Sequence, residues 1–505
     1  MPRALRGKST HELDRAKCRY FGRVNPFRAS CPAFLEVSPT AERFDIVVIG
    51  GGPGGYAAAL YGASAGLKVA VVEKEKVGGT CLHRGCIPAK EFLETASAFR
   101  HVANAGEFGV NAGEPTVDFA VSQQRKQKVV DQLHMGLSGL LKRRKITIVN
   151  GFGQLMPHKT VKVSDGSELK AHNVILAAGS VPRSIPGFDV DGKFVMTSDE
   201  VLSLDKLPES VAVIGGGAIG CEFASMMNDL GVKVTLLEVM PKLLALLDGD
   251  VASVVTKSFE KRGMDVQVGI KDVRHSPGDD TTKVSWTNED GSEGSVDVNS
   301  VVVSVGRRPF SDDLLHEGTG VQVDERGYVK VDEYLSTGVD GIYALGDLIT
   351  TPQLAHVAFA EGILAVKSVL GEDPAPIDYT KVPWCIYTHP EVAYAGLSEQ
   401  GARDAGYDVI VKKDPFIGNG RAIIIGETEG MVKVVAEKRP DGTAGKILGV
   451  HMAGPWVTEQ LGQGYLAVNW EATADEVAEF IQPHPSLAET FGETVLALTG
   501  RSLHV

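Results

Sequence analysis

The chain has 505 residues, 43% hydrophobic and 23% charged, and a formal net charge of −13. That is room for about three to four globular domains, and the negative balance argues against a nucleic-acid or anionic-membrane surface. No apolar run reaches the roughly 18 residues of a membrane helix, and the six cysteines show no metal-ligand spacing.

Residues 1–43 differ from the rest. They carry Arg3, Arg6, Lys8, Arg15, Lys17, Arg19, Arg23, Arg28 and Arg43 with few acids, no sustained apolar period and no signal-peptide core. They read as a disordered extension, or as sequence upstream of the true start. A transit peptide is the alternative, against which Glu12, Asp14 and Glu36 count.

Phe44–Ile49 reads as a strand, Gly50-Gly51-Gly52-Pro53-Gly54-Gly55 as a turn, the Ala-rich stretch to Leu67 as a helix, and Val69–Val72 as a second strand ending at Glu73. This is a dinucleotide fingerprint in its structural context. Gly50 makes the tight turn, Gly52 admits a pyrophosphate to the backbone, and Gly55 lets helix and strand pack closely. Glu73 is placed to accept hydrogen bonds from ribose hydroxyls.

Gly78–Lys90 follows, with Cys81 and Cys86 separated by four residues. On an ideal helix their Cα atoms would stand roughly 8.7 Å apart, beyond the about 4.4–6.8 Å that a disulfide spans. A bridge there requires a distorted turn, which Gly85 and Pro88 are able to supply. The spacing alone also fits two buried thiols that never meet, or a minor staple. Its position just after Glu73 puts the pair where a flavin would touch it. Cys18, Cys31, Cys221 and Cys385 are scattered and read as reduced, inert thiols, a usage that suits a reducing cytosol.

Glu91 to about Arg144 reads as mostly helical, with a break near Gly109–Pro115. Its basic end, Lys142-Arg143-Arg144-Lys145, reads as cations at a helix C-terminus. Ile146–Val149, Val161–Val163 and Val174–Ala178 read as strands, the last running into the turn Gly179-Ser180-Val181-Pro182. The fingerprint then recurs: strand Ser210–Ile214, turn Gly215-Gly216-Gly217-Ala218-Ile219-Gly220, a helix to about Leu230, and strand Lys233–Leu237 with Glu238 at its end. A carboxylate there favours a free 2′-hydroxyl and repels a 2′-phosphate, so NAD is expected over NADP. Lys242 is a nearby cation that qualifies this. Val251–Arg262 reads as a helix stopped by Gly263, Asp290-Gly291 as a hairpin turn between Lys283–Trp286 and Ser295–Val298, and Val301–Val305 as a strand.

After about Tyr379 the pattern becomes α+β, with strands at Trp384–Tyr387, Gly430–Glu437 and Lys446–Met452. Thr473 to Glu476 is a capping box. His484 precedes Pro485 and is expected in extended backbone, with Glu489 five residues on to orient its ring.

Cys81-x4-Cys86 after Gly78-Gly79-Thr80, the two fingerprints, Gly341-Ile342-Tyr343-Ala344-Leu345-Gly346-Asp347 and His484-Pro485…Glu489 together resemble the class-I pyridine nucleotide-disulfide oxidoreductases, over about residues 44–505. Leu354-Ala355-His356, Ile386 to Val392 and His451 to Pro455 are most similar to the dihydrolipoamide-oxidising branch. His83-Arg84 stand where the family usually has Asn-Val, Ala89 replaces a common hydroxyl residue, Gln482 a common His, and Val357-Ala358-Phe359 is unusually apolar.

The resemblance implies an α/β protein with two Rossmann-like domains, for FAD and NAD, and a C-terminal α+β dimerisation domain. The expected limits are 44–190 for the first part of the FAD domain, 191–308 for the NAD domain, 309–378 for the remaining FAD or central part, and 379–505 for dimerisation. It implies a Cys81–Cys86 redox disulfide, a His484–Glu489 base that works in the partner subunit of a homodimer, and a Lys90–Glu222 ion pair near the flavin. FAD is expected at Gly50, Gly52, Gly55, Glu73, Gly79, Thr80, Lys90, Ala178, Gly179, Ser180, Asp347, Leu354, Ala355 and His356. NAD is expected at Gly215, Gly217, Ala218, Ile219, Gly220, Glu238, Val273 and Gly306. The implied activity is NAD-dependent reoxidation of protein-bound dihydrolipoamide, with the lipoyl domain of a 2-oxo acid dehydrogenase complex or a glycine-cleavage lipoyl protein as partner. The alternatives are a reductase of glutathione or a related thiol, and a non-catalytic scaffold of the same fold. The expected location is cytoplasmic, or the mitochondrial matrix if residues 1–43 are a transit peptide.

Overall fold

The computed structural model describes residues 43–504. The extension expected over 1–43, with Cys18 and Cys31, lies outside the described residues apart from Arg43.

Two parallel sheets share one design. In the first, strands lie in the order Thr147–Asn150, Val69–Glu73, Phe44–Ile49, Glu168–Leu176 and Ile342–Ala344, all parallel. In the second the order is Asp265–Val268, Lys233–Glu238, Ser210–Ile214, Ser300–Val303 and Val195–Met196, again all parallel. Their central strands read as unbroken Val/Ile runs because both faces are covered; Ile46, Val47, Val48 and Val211, Ala212, Val213 are fully buried. Helix Pro53–Ser64 lies so close to helix Ala355–Val369 that a Cβ on Gly362 would come within 2.7 Å of the Gly54 carbonyl oxygen.

The chain passes between the two sheet units through a short antiparallel ribbon, Ser180–Pro182 against Arg307–Pro309. The hairpin about Asp290-Gly291 forms, with strands Thr282–Thr287 and Glu293–Val298. A third strand, Lys271–Pro277, joins it; the sequence reading did not foresee it, because its solvent-facing residues hide the alternation. The C-terminal part is a five-stranded antiparallel sheet in the order Trp384–Ile386, Glu391–Gly396, Ala444–Gly454, Met431–Lys438 and Val409–Pro415. Helices Val457–Asn469 and Glu489–Leu498 pack on its core.

One apolar cluster ties these parts together. It joins Phe92 and Ala96, Phe223 and Met227, and Ile386 and Ala453. These residues come from the segment after the cysteines, the second sheet unit and the C-terminal sheet, so the redox segment is held against both. Among the described residues no helix is long and apolar enough to cross a membrane.

Candidate active site

The redox pair sits at a break between two helices. Cys81 lies in Gly79–Arg84 and Cys86 opens Cys86–Ala103, with Gly85 between them at φ −149°, ψ −111°. A Cβ on Gly85 would stand 3.1 Å from the Thr80 carbonyl oxygen. Pro88, expected to help distort the turn, instead lies within the first turn of the second helix, where a missing N–H costs nothing. The break rests on Gly85.

Both cysteines are free thiols in this structure, and they are within hydrogen-bonding reach of each other. That bond, with the Lys90 ammonium, pulls the Cys86 thiol below its ordinary range despite burial. Cys81 keeps its proton in the same bond and moves the opposite way, burial adding to the rise. The pair is therefore polarised, with Cys86 the thiol that gives up its proton more readily.

Lys90 is one helical turn beyond Cys86. Its ammonium donates to both Glu222 oxygens, at 2.9 and 2.8 Å, and stands 4.9 Å from the centre of the Tyr387 ring. Burial alone would lower the Lys90 pKa; Glu222 outweighs it and holds the value above the usual lysine range. Glu222 also accepts the Tyr387 backbone N–H at 2.9 Å.

A cavity of about 980 Å³ is lined by Gly50, Gly52, Glu73, Gly79 and Thr80, by Cys81, Cys86, Lys90 and Glu222, and by Gly215, Gly217, Ala218, Ile219, Glu238 and Gly306. Ala178, Gly179, Ser180, Asp347, Leu354 and Ala355 line it too. It thus connects both glycine turns with the cysteines.

The turns are shaped for dinucleotides. A Cβ on Gly55 or Gly220 would meet the Gly50 or Gly215 carbonyl oxygen at 1.9 Å, so these two glycines serve helix packing and do not line the cavity. At Gly217 nothing lies within 4 Å of such a Cβ, and at Gly52 only Gly79 Cα, at 3.8 Å. A pyrophosphate has room at both. Gln353 Nε2 is buried without a hydrogen-bond partner in the same lining, which a cofactor's polar atom would satisfy. These features fit FAD and NAD.

Glu73 accepts the Gly51 N–H at 2.6 Å and the Glu75 N–H at 2.9 Å; Glu238 accepts those of Gly216 at 2.5 Å and Met240 at 2.7 Å. Each carboxylate braces its own glycine turn and keeps lone pairs for a ribose. Lys242 donates to the Leu247 carbonyl at 2.7 Å, so its ammonium is engaged within its own loop.

Besides Gly55 and Gly220, Val273, His356 and the His484–Glu489 pair fall outside this lining. Val273 packs beside the Phe188–Trp286 core on the unforeseen strand and does not line the cavity. His356 also lies off the lining; its Nε2 is 2.8 Å from the Pro383 carbonyl oxygen. His484 is bound to Glu489, Nδ1 to Oε1 at 2.8 Å, but its side chain is 80% exposed and outside the cavity lining of its own chain. The His484–Pro485 peptide is cis. Glu489 is fixed in turn by the Ser486 N–H at 2.7 Å.

Some residues that shape the site carried no role in the sequence reading. Arg307 donates to Ser180 Oγ at 2.7 Å and to its carbonyl oxygen at 2.8 Å, while Ser180 Oγ donates to Asp347 at 2.5 Å. Only its place directly after Gly306 signalled it. Cys385, read as an isolated thiol, lines the cavity, and burial pushes its pKa up to about 11.

The family model described as pyridine nucleotide-disulphide oxidoreductase matches residues 44–362, and that of the same family's dimerisation domain matches residues 382–495. The chain belongs to this family of FAD- and NAD-using flavoenzymes. It is 42% identical over 479 residues to a dihydrolipoyl dehydrogenase of Bacillus subtilis, covering 92% of this chain and all of the relative. A dihydrolipoyl dehydrogenase of Zymomonas mobilis is 37% identical over 470 residues, with 92% and 100% covered. Among solved structures it resembles LpdA of Mycobacterium tuberculosis, with TM-score 0.82, 27% identity, and 90% and 99% of the two chains covered. The HOCl-induced flavoprotein disulfide reductase RclA of Escherichia coli gives TM-score 0.79 at 26% identity, with 90% and 99% covered.

Proposed function

We propose that the chain reoxidises protein-bound dihydrolipoamide to lipoamide with NAD⁺ as acceptor, the activity of a dihydrolipoyl dehydrogenase. The observation that carries this is the shared cavity, which puts the Cys81–Cys86 pair and the Lys90–Glu222 ion pair between two dinucleotide cradles. The full-length similarity to curated dihydrolipoyl dehydrogenases supports it.

FAD would be held by the Gly50–Gly55 turn, Glu73, Gly79, Ser180 and Asp347, and NAD by the Gly215–Gly220 turn and Glu238. When bound, they would supply the two-electron chemistry that links the dithiol to NAD⁺. The protein's part is acid–base chemistry and sulfur exchange. In the oxidised enzyme Cys81 and Cys86 share a disulfide. A substrate thiol of pKa about 8.5 is mostly protonated at neutral pH. His484 of the partner subunit, oriented by its own Glu489, removes that proton. The thiolate attacks Cys81 Sγ, the Cys81–Cys86 bond breaks, and Cys86 leaves as the thiolate. His484 releases that first proton to solvent and then deprotonates the second lipoyl thiol, which attacks the lipoyl sulfur of the mixed disulfide. Lipoamide disulfide departs and Cys81 takes up the proton.

A homodimer follows from this reading, since His484 lies outside the cavity lining of its own chain and His83, the imidazole in that lining, is held by the Val77 carbonyl oxygen at 3.0 Å. The matched dimerisation domain supports that arrangement. The partner is a lipoyl domain of a 2-oxo acid dehydrogenase complex or a glycine-cleavage lipoyl protein. The location is the cytoplasm, where Cys221 and Cys385 stay reduced. Initial rates of the flavin-loaded protein test the reading, comparing dihydrolipoamide plus NAD⁺ with glutathione disulfide plus NADPH. The first pair should be faster by orders of magnitude; equal or reversed rates would refute it.

A further inference from the structure

A second concavity, of about 570 Å³, lies behind the redox segment and plays no part in the relay above. Its lining includes Lys76, His134, Ser138, Lys142, Lys145 and Asn150. It sits beside the carboxyl ends of strands Val69–Glu73 and Thr147–Asn150, where open α/β sheets take ligands.

We propose that this concavity is a binding site for a small, multiply charged anion of the phosphate class. The three lysines come from two segments: Lys76 from the loop after the strand, and Lys142 and Lys145 from the last turn of helix Phe119–Arg143 and the turn directly beyond it. None of them has an ion pair among the described residues. Cations at a helix C-terminus offset its dipole, and that accounts for Lys142 and Lys145, but not for Lys76 facing the same space. All three ammonium groups are exposed around one hollow, and in a protein of net charge −13 they make a local positive patch that attracts an anion. The rim adds neutral donors suited to phosphate oxygens, the Ser138 hydroxyl and the Asn150 amide. Glu75 is the one carboxylate in the lining, and Arg84 holds it at 2.9 Å.

The site also abuts the redox helix. His134 Nδ1 and His83 Nε2 both contact the Val77 carbonyl oxygen, at 3.1 and 3.0 Å, and their ring centres are 5.2 Å apart. His83 stands between the two cysteines in sequence.

Calorimetric titration of the flavin-loaded, full-length protein with inorganic pyrophosphate at low ionic strength tests the proposal. Wild type should bind, and Lys142→Gln/Lys145→Gln should weaken binding at least tenfold. Lys76→Gln, on a different segment, should weaken it severalfold, with Tm unchanged in both variants and affinities compared at equal flavin content, because Lys76 also borders the dinucleotide cavity. No binding to wild type overturns the proposal. So does equal affinity in all three proteins, which would assign the pyrophosphate to a dinucleotide cradle.

Discussion

Lys90 and Glu222 are joined by two charge-assisted hydrogen bonds, at 2.9 and 2.8 Å. One residue lies on the helix opened by Cys86 and the other on helix Ala218–Asp229, which follows the second glycine turn. The pair therefore holds the sulfur centre in register with the second cradle and places a cation near Cys86. Lys90→Met should raise the pH midpoint for iodoacetamide alkylation of Cys86, because the charge that favours its thiolate is gone. Turnover at neutral pH should fall about tenfold or more. An unchanged midpoint would deny Lys90 this role.

His484→Gln removes the base and leaves the flavin side untouched. Dihydrolipoamide oxidation should drop by roughly 10²–10⁴-fold, the usual worth of a positioned general base. NADH-driven reduction of a dye through the flavin should stay within about twofold of wild type. Retained dihydrolipoamide turnover would remove His484 from the mechanism.

Glu238 decides between the two nicotinamide cofactors. Glu238→Val loses a ribose acceptor and a charge that repels a 2′-phosphate. Selectivity for NAD⁺ over NADP⁺ in kcat/KM should fall about tenfold, in line with the roughly 1.5–3 kcal/mol of a hydrogen bond to a charged group. The two cofactors compared in one assay check this, with Tm measured alongside because Glu238 also braces Gly216.

Lys433 is a buried cation with three carboxylates around it, Asp248 at 2.9 Å, Asp250 at 2.7 Å and Glu399 at 2.9 Å. It pins the second nucleotide unit to the C-terminal sheet. Lys433→Met strands those acids and should cost about 3–5 kcal/mol, read by denaturant unfolding. The Lys433 hydrogen bond holds Asp250 and Glu399 below the usual carboxylate range; at Asp248 burial works against it and is outweighed. Carboxylates depressed by folding stabilise the protein fully above about pH 4 and lose that contribution as pH falls through their folded values. Wild-type Tm should therefore drop more steeply below about pH 4 than that of the variant.

What could be read along the chain was local chemistry with a fixed period or spacing. Two strand–glycine turn–helix–strand–acid runs identify two cradles, since each role depends on residues near in sequence: a turn without a Cβ, an open face at the middle glycine, a carboxylate one strand later. The C-x4-C pair and the His484–Glu489 spacing were legible for the same reason. Val273 was misplaced because nothing in an alternating polar stretch says which sheet a strand will join. Arg307 gained its partner only when two segments far apart in sequence met as a ribbon, Ser180 against Pro309. The chain by itself determined which chemistry it carries: thiols, a base and two nucleotide turns. Tertiary packing alone decided that one cavity would link the thiols and the two turns, that Cys86 rather than Cys81 would favour the thiolate, and that His484 would face outward. Each depends on burial and on charges brought together from distant segments, which no local pattern encodes.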